Sequence, residues 1–383
     1  MGKNILYIAN YYLDDVIEQR NSAPYISQAG QNKSTYMIEM FRTGGNEVTV
    51  WSNAWTKSTS GKFYRGFQSK MDPQVYYADI LGFPFLNVWA CKRSCKKFLR
   101  TRCKTKKFDA IVFYNMRLEN APVALWAKKK FNIPIFLQYE DGLTKDAHVN
   151  GLKRYLYSRM EKRTLPELDG AFLVTSMLKV PCPSLVVRGA IRNRICKSTM
   201  QHEKPILLFS STLDRQRGIE VLLEALQFTK EDFSLVISGR GELEECATAC
   251  KDQRVDYKGY VRYEEYQKLL EQADICINAQ LAHAEFGNVS FPSKIYEYLS
   301  YGKLVVSSDV ADAKSAIGDF CFIYEMDDPR KLAGCIDQAI CVWKDKEKYS
   351  KYQRRIEHFL EENAMDKIAQ KANLLLEGKN RKS

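Results

Sequence analysis

Residues 291–309 read FPSKIYEYLSYGKLVVSSD, and this stretch decides the fold. Pro292 suits the first turn of a helix, where its missing N–H would have no helical partner anyway, and Gly302 suits the left-handed residue that ends one. The spacing therefore predicts a short helix over 293–301. The run 303–308 is apolar and β-branched at its centre, as expected of a strand buried in a parallel sheet. First-turn N–H groups around Ser293, the positive end of the helix dipole and the Lys294 ammonium make an anion site that suits a diphosphate. Glu297 lies one turn beyond Ser293 on the same face, where a carboxylate accepts hydrogen bonds from vicinal hydroxyls such as those of a ribose. Without a ligand, the same residues read as an ordinary amphipathic helix with Ile295 and Leu299 inward and Glu297 solvated.

Working outward, the second half is an α/β series. Strands are expected at 206–210, 233–238 and 275–278, with helices at 219–227 and 263–272 between them, and the last 55 or so residues read as helical. The first half repeats the plan. A strand at 4–10 is followed by a long polar loop containing Gly30, a helix at 34–43 and a strand at 47–52, which together form a βαβ unit. Further strands are expected at 110–114, 135–139 and 170–175, with a helix at 121–130. At 383 residues the chain exceeds one compact core, so two domains are expected, 1–195 and 196–383, with the last helices packing back on the first. In such sheets ligands bind beyond the carboxyl ends of strands, which singles out Glu140 and Asp141.

Composition is that of an ordinary globular protein, and no apolar run reaches the roughly 18 residues needed to span a bilayer. The N-terminus fits neither a signal peptide nor a myristoylation site and reads as a first strand. Eleven cysteines, scattered and never spaced CxxC, suggest neither a disulfide framework nor a zinc site and fit a reducing cytosol. Of the net charge of +12, residues 1–200 carry +17 and the remainder −5. Nine basic residues without an acid lie in KRSCKKFLRTRCKTKK (92–107), directly after the apolar LGFPFLNVWAC. An apolar anchor joined to a basic helix favours an anionic bilayer surface. A solvated basic helix is the alternative. Nucleic acid is disfavoured, because the aromatic residues precede the charges and do not alternate with them.

Four loop segments in the second half each end a strand: STLDRQRG (211–218), GRGE (239–242), KGYVRYEE (258–265) and HAEFGNVSFPSK (283–294). Their order and spacing resemble the nucleotide-sugar domain of the family-4 glycosyltransferases, retaining enzymes of the GT-B architecture. GGNEVTV (44–50) is similar to that family's GGHEVTV, STLDRQRGIEVLLEAL to its GRLxxxKGxDxLLxA, LVISGRGEL to LxIxGxGxL, and EYLSYGKLVVSSD to EAMAxGxPVVAS. The resemblance implies two Rossmann-like domains whose parallel sheets face each other across a cleft. By position, Arg217 takes the place of the Lys that contacts the donor diphosphate and Glu297 that of the Glu that holds the ribose. The backbone at Tyr260 and Val261 falls where the base is contacted, and Gly239 lines the same edge. Two positions depart from the family: its first-loop Arg is Thr212 here, and the earlier Glu of its pair is Val289. Lys294, in an FPSKIYEYL form resembling surface-polysaccharide transferases, is the expected substitute for the lost cation.

The implied reaction moves a sugar from a nucleoside-diphosphate sugar to a saccharide or lipid-linked acceptor with retention. Arg217, Lys294 and the helix N-terminus would stabilise the leaving diphosphate. Neither a metal nor another cofactor is expected, and the DxD motif of metal-dependent transferases is absent. Glu140 or Asp141 would orient the acceptor, with His148 as a further candidate. The expected location is the cytoplasmic face of a membrane. A nicotinamide dehydrogenase is disfavoured because no GxGxxG follows the first strand. A nucleotide-sugar hydrolase or epimerase of the same architecture, or a catalytically silent partner subunit, are the alternatives.

Overall fold

In a computed structural model, the described residues are 2–20, 28–56, 60–83, 86–140, 151–189, 191, 202–283 and 291–378. The chain divides into two compact units, Met1–Val187 with Met365–Ser383, and Arg188–Ala364. The boundary expected at 195/196 lies outside the described residues.

The first unit is built on seven parallel strands. They are β1 (Asn4–Ala9), β2 (Glu47–Ser52), β4 (Val75–Tyr77), β6 (Ala110–Tyr114), β7 (Ile135–Tyr139), β8 (Gly170–Leu173) and β9 (Ser184–Val186), in the order β4-β2-β1-β6-β7-β8-β9. Two short strands, β3 (Phe63–Tyr64) and β5 (Ile80–Leu81), pair antiparallel beside the sheet. Every residue of β1 is buried, which is why its sequence, NILYIA, does not alternate. The connecting helices are α1 (Asp14–Gln19), α2 (Gln28–Thr43), α3 (Leu86–Thr105), α4 (Ala121–Phe131) and α5 (Gly151–Thr164). Gly30 belongs to α2 and not to the long loop expected from sequence, so glycine propensity is overridden here by the helix's packing.

The second unit carries six parallel strands, β10 (Ile206–Ser210), β11 (Ser234–Ser238), β12 (Val255–Tyr257), β13 (Ile275–Asn278), β14 (Leu304–Ser308) and β15 (Phe322–Tyr324). Their order, β12-β11-β10-β13-β14-β15, is that of a doubly wound dinucleotide-binding sheet, with its reversal point between β10 and β13. The helices are α6 (Ile219–Ala225), α7 (Glu244–Thr248), α8 (Tyr263–Gln272), α9 (Lys294–Ser300), α10 (Ala313–Ile317), α11 (Pro329–Lys344) and α12 (Lys346–Glu362). The last helix, α13 (Met365–Leu376), belongs to the first unit, where Asn373 donates to the Gly44 carbonyl at 2.7 Å and accepts from Asn46 at 2.8 Å.

The surface of α3 is divided lengthwise. Asn87, Ala90, Cys91, Cys95 and Leu99 face the core. Leu86, Trp89, Arg93, Lys97, Arg100 and Lys104, spaced by three or four residues, share the opposite exposed face. The apolar members sit at the helix start, where Phe83 is also exposed, and the Arg93 guanidinium lies 5.4 Å from the Trp89 ring. No helix among the described residues is long and apolar enough to cross a membrane.

Candidate functional site

The organising stretch folds as its sequence suggests, with α9 over Lys294–Ser300 leading into β14. Gly302 has φ of +67°, as required of the residue that stops the helix, and its amide returns to the Leu299 carbonyl at 2.9 Å. At the other end the amides of Ile295 and Tyr296 bond the carbonyls of Pro292 and Ser293. Pro292 has no N–H, so the helix can offer an anion only the amides of Ser293 and Lys294. Seven residues also make a weak dipole, and side-chain cations must carry most of the charge complementarity.

Those cations meet at the reversal point between β10 and β13. Lys294 Nζ donates to the Ser210 carbonyl at 2.5 Å and lies 5.4 Å from the centroid of the Tyr266 ring. The residue keeps solvent-accessible surface, yet protein crowds its ammonium and lowers its pKa to about 8. Glu297 opposes that shift, and the positive charge of Arg217 adds to it. Ser210 stands two residues before Thr212, so the ammonium is anchored at the start of the loop in which the resembled family has its arginine. Thr212 itself is exposed.

Arg217 is positioned from two sides. Asp214 caps the short turn Arg215–Arg217 by accepting from the Arg217 amide at 2.9 Å, and Arg217 Nη1 donates to Gln280 Oε1, after β13, at 2.6 Å. Gly218 follows with φ of +73°, and a Cβ there would fall 1.9 Å from the Ala279 carbonyl oxygen, so only glycine lets the two loops close together. Gly239 is similar: at φ of +140° its Cβ would meet the Ser211 carbonyl oxygen at 1.8 Å. The Tyr257 hydroxyl donates to the Gly239 carbonyl at 2.9 Å. Beyond it, the Arg240 guanidinium lies 4.7 Å from the centroid of the exposed Tyr260 ring, with the half-buried Val261 next in the chain.

Glu297 accepts a hydrogen bond from the Tyr266 hydroxyl at 2.9 Å, which fixes one carboxylate oxygen and leaves the other acceptor positions for a ligand. Burial raises the Tyr266 pKa first of all, and the charge of Glu297 adds to it, so the phenol stays a donor. Sequence reasoning missed Tyr266. Its spacing to Leu270 marks it as a core residue of α8, and nothing in KGYVRYEEY separates it from Tyr260 and Tyr263. Asp327 was missed as well. Its carboxylate accepts from the amides of Ala282 and His283 at 2.8 and 3.1 Å and meets His283 Nδ1 at 2.9 Å. Both Met326 and Asp327 have positive φ, a conformation costing non-glycine residues about 1–3 kcal/mol each, and Asp327 thereby tethers the loop that follows β13. Val289 lies outside the described residues.

In the first unit Glu140 follows β7, but its carboxylate is turned into the protein. Glu140 Oε1 accepts from Gln138 Nε2 at 2.8 Å and lies 3.6 Å from Lys33 Nζ, while the Tyr7 hydroxyl donates to Gln138 Oε1 at 2.6 Å. Asp141 and His148 lie outside the described residues.

Residues 204–341 match the sequence model of the family described as glycosyl transferases group 1. No curated protein sequence matches the chain. Among solved structures, sucrose-phosphate synthase from Thermosynechococcus elongatus superposes with a TM-score of 0.69 at 13% identity, covering 98% of each chain. Anabaena HepE in complex with UDP gives 0.69 at 14% identity over 98% of this chain and 99% of that one. A glycosyltransferase from Rickettsia africae gives 0.67 at 15% identity over the full length of both. At these identities the likeness is one of fold. Together with the doubly wound strand order, these findings show that the second unit contains a region matching the group 1 glycosyltransferase model and that the chain has the GT-B fold.

Proposed function

We propose that the protein transfers a hexosyl group from a nucleoside-diphosphate sugar to a saccharide acceptor with retention of anomeric configuration. The observation that carries this reading is the placement of Arg217, Lys294 and Glu297 at one reversal point, each held by a named partner. Breaking the glycosidic bond leaves negative charge on the diphosphate. Arg217 and Lys294 stabilise that charge electrostatically, with Lys294 supplying the cation that Thr212 lacks. The two cations do the work of a metal, so no metal or other cofactor is required. Glu297 holds the ribose, Ser293 and the loop at Gly239 border the phosphates, and the base lies along Tyr260 and Val261. HepE, a protein of the same fold, has been solved in complex with UDP, which supports a nucleotide as a ligand of this chain.

The finer reading is a lipid-linked acceptor met at the cytoplasmic face of a membrane. The exposed stripe of α3 supports it: Leu86 and Trp89 suit the headgroup boundary, and four basic residues follow on the same face. Near an anionic surface each such charge is worth about 1 kcal/mol.

The test is a mass-spectrometric screen of nucleotide-sugars against lipid-linked and free saccharide acceptors, with the anomeric configuration of any product read by NMR. A new glycoside that keeps the donor's configuration is expected. Release of free sugar at the same rate with and without every acceptor would instead identify a hydrolase, and UDP binding without turnover of any donor a silent partner.

A further inference from the structure

The second unit holds a cleft at the edge of its sheet opposite Arg217 and Lys294. There α12 crosses the chain just before β14 and β15 begin. The Tyr352 hydroxyl reaches the Phe320 carbonyl at 2.8 Å and the Lys303 carbonyl at 3.1 Å, and Gln353 Nε2 donates to the Gly302 carbonyl at 2.5 Å. Tyr349, Tyr352, Ile356, Phe359 and Leu360 are the buried residues of this helix. Lys351, Arg354, Arg355 and His358, at i, i+3, i+4 and i+7, share its exposed side. With Asp319 and Phe320 they line a cleft of about 540 Å³, a size within the range of small-molecule sites.

One wall of the cleft is basic and its charge is not neutralised from within. Arg355 donates to the Asp319 carbonyl, and its guanidinium lies 5.9 Å from the centroid of the Phe320 ring, which fixes it at the rim. Among the described residues, Lys351, Arg354 and His358 form no ion pair. Of the lining residues only Asp319 is acidic, and it is its carbonyl that engages Arg355. The half-buried Phe320 is backed by Phe359, with ring centroids 4.6 Å apart, and gives the cleft an apolar floor. This wall stands in the half of the chain whose net charge is −5, so general basicity does not account for it. Like charges three and four residues apart on a helix repel one another, and a bound anion relieves that repulsion.

We infer that this cleft binds a phosphate monoester, with the phosphoryl group against Lys351, Arg354 and His358 and the organic group on Phe320. A phosphate monoester carries nearly two negative charges at neutral pH and three strong acceptor oxygens, which matches three neighbouring donors on one wall. The planar Arg354 guanidinium pairs with two of those oxygens at once, and Lys351 adds a compact charge. A solvated basic face would need neither the concavity nor the aromatic floor. The inference goes beyond the glycosyltransfer reading and does not depend on it, because the cleft and the candidate donor site lie at opposite edges of the sheet. Soluble metabolites and lipid headgroups both present such a phosphoryl group, and the two sources are separated by experiment.

The experiment is calorimetric titration of phenyl phosphate into the full chain, into Arg217→Ala and into a variant with Lys351, Arg354 and His358 changed together to Gln. Wild type and Arg217→Ala are expected to bind alike, and the triple variant at least tenfold more weakly, with its melting temperature and UDP affinity unchanged. Phe320→Leu, which removes the flat ring, is expected to lower the affinity for phenyl phosphate to that for inorganic phosphate. Co-sedimentation with phosphatidylcholine vesicles containing phosphatidic acid then identifies the source: retention by wild type and release by the triple variant point to a lipid headgroup, and no retention by either to a soluble ester. The inference is overturned if phenyl phosphate does not bind wild type, if the triple variant binds it equally well, or if Arg217→Ala is the variant that loses it. Equal affinity of wild type for phenyl phosphate, inorganic phosphate and sulfate, falling together as salt is added, would also overturn it and reduce the wall to a solvated basic face. Failure of wild type to bind UDP would contradict the proposed function and leave this cleft standing.

Discussion

The reversal points of the two sheets occupy the same place in the same strand pattern, and they are furnished in opposite ways. In the second unit, Arg217, Lys294 and Glu297 are each held by a partner, and two of the three are cations. In the first, the corresponding edge carries the buried Glu119 carboxyl beside the Trp55 indole, with the Asn10 amide oxygen and the Thr56 hydroxyl shielded and unpartnered. One fold thus supplies two kinds of edge, and the side chains on the loops after the strands decide which ligand each suits. A preorganised cationic edge suits an anion whose charge grows during reaction, and a neutral-to-acidic edge does not.

The largest expected effect falls on the cations. Removing one charge-assisted contact of this kind costs about 2–4 kcal/mol of transition-state stabilisation, on the order of a hundredfold or more in rate. Arg217→Ala and Lys294→Ala should both show it in transfer assays, and turnover at the wild-type rate in either folded variant contradicts the assignment. Next comes Glu297→Ala. Loss of a charged hydrogen-bonding partner typically costs about 1.5–3 kcal/mol, so calorimetry should find UDP binding weakened roughly tenfold or more. Tyr266→Phe, which only frees the Glu297 carboxylate, should cost less, about 0.5–1.5 kcal/mol.

Titration sharpens the contrast further. The Lys294 pKa is lowered to about 8, so the free protein loses this positive charge as pH rises through that value. A bound diphosphate favours the charged form, and UDP affinity should therefore fall between about pH 7.5 and 9.5. Lys294→Arg, which stays charged throughout, should flatten the profile over that window. At the other edge the sign concerns stability. An acid whose pKa is raised by folding holds its proton longer in the native state, so its contribution to stability declines as pH rises above its ordinary value of 4.5. The melting temperature of Glu119→Gln relative to wild type should therefore improve from pH 4 to 7. A constant difference contradicts the picture of a strained carboxyl.

The smallest effect on the chemistry is expected from α3. Changing Arg93, Lys97, Arg100 and Lys104 together to Gln should reduce co-sedimentation with anionic vesicles and its salt sensitivity, yet leave UDP affinity unaltered. Equal binding of wild type to neutral vesicles would leave the stripe a solvated helix face.

How much of this could be read from the chain differs between the two edges for a physical reason. The parallel strands were legible because buried strands write continuous apolar runs such as NILYIA and LVVSS. Arg217, Lys294 and Glu297 were legible because their positions are tied to glycines and a proline that backbone geometry requires, at Gly218, Gly302 and Pro292. Tyr266, Gln280 and Asp327 were not, since a side chain that orients another across the fold leaves no local spacing to read. Glu119 escaped notice for a related reason: it lies within NMRLEN, five residues after β6, and only the structure shows that its carboxyl is buried beside the Trp55 indole. Glu140 was conspicuous at a strand end, but its position reveals neither Lys33 nor Gln138, which come from distant α2 and from the strand itself.

The most direct test of the claim that the edges divide the work is calorimetric titration of UDP into wild type, Lys294→Ala and Glu119→Ala under one set of conditions. The account predicts that UDP binding is weakened roughly tenfold or more in Lys294→Ala and is unchanged in Glu119→Ala. Undiminished affinity in Lys294→Ala, or equal losses in the two variants, would contradict it.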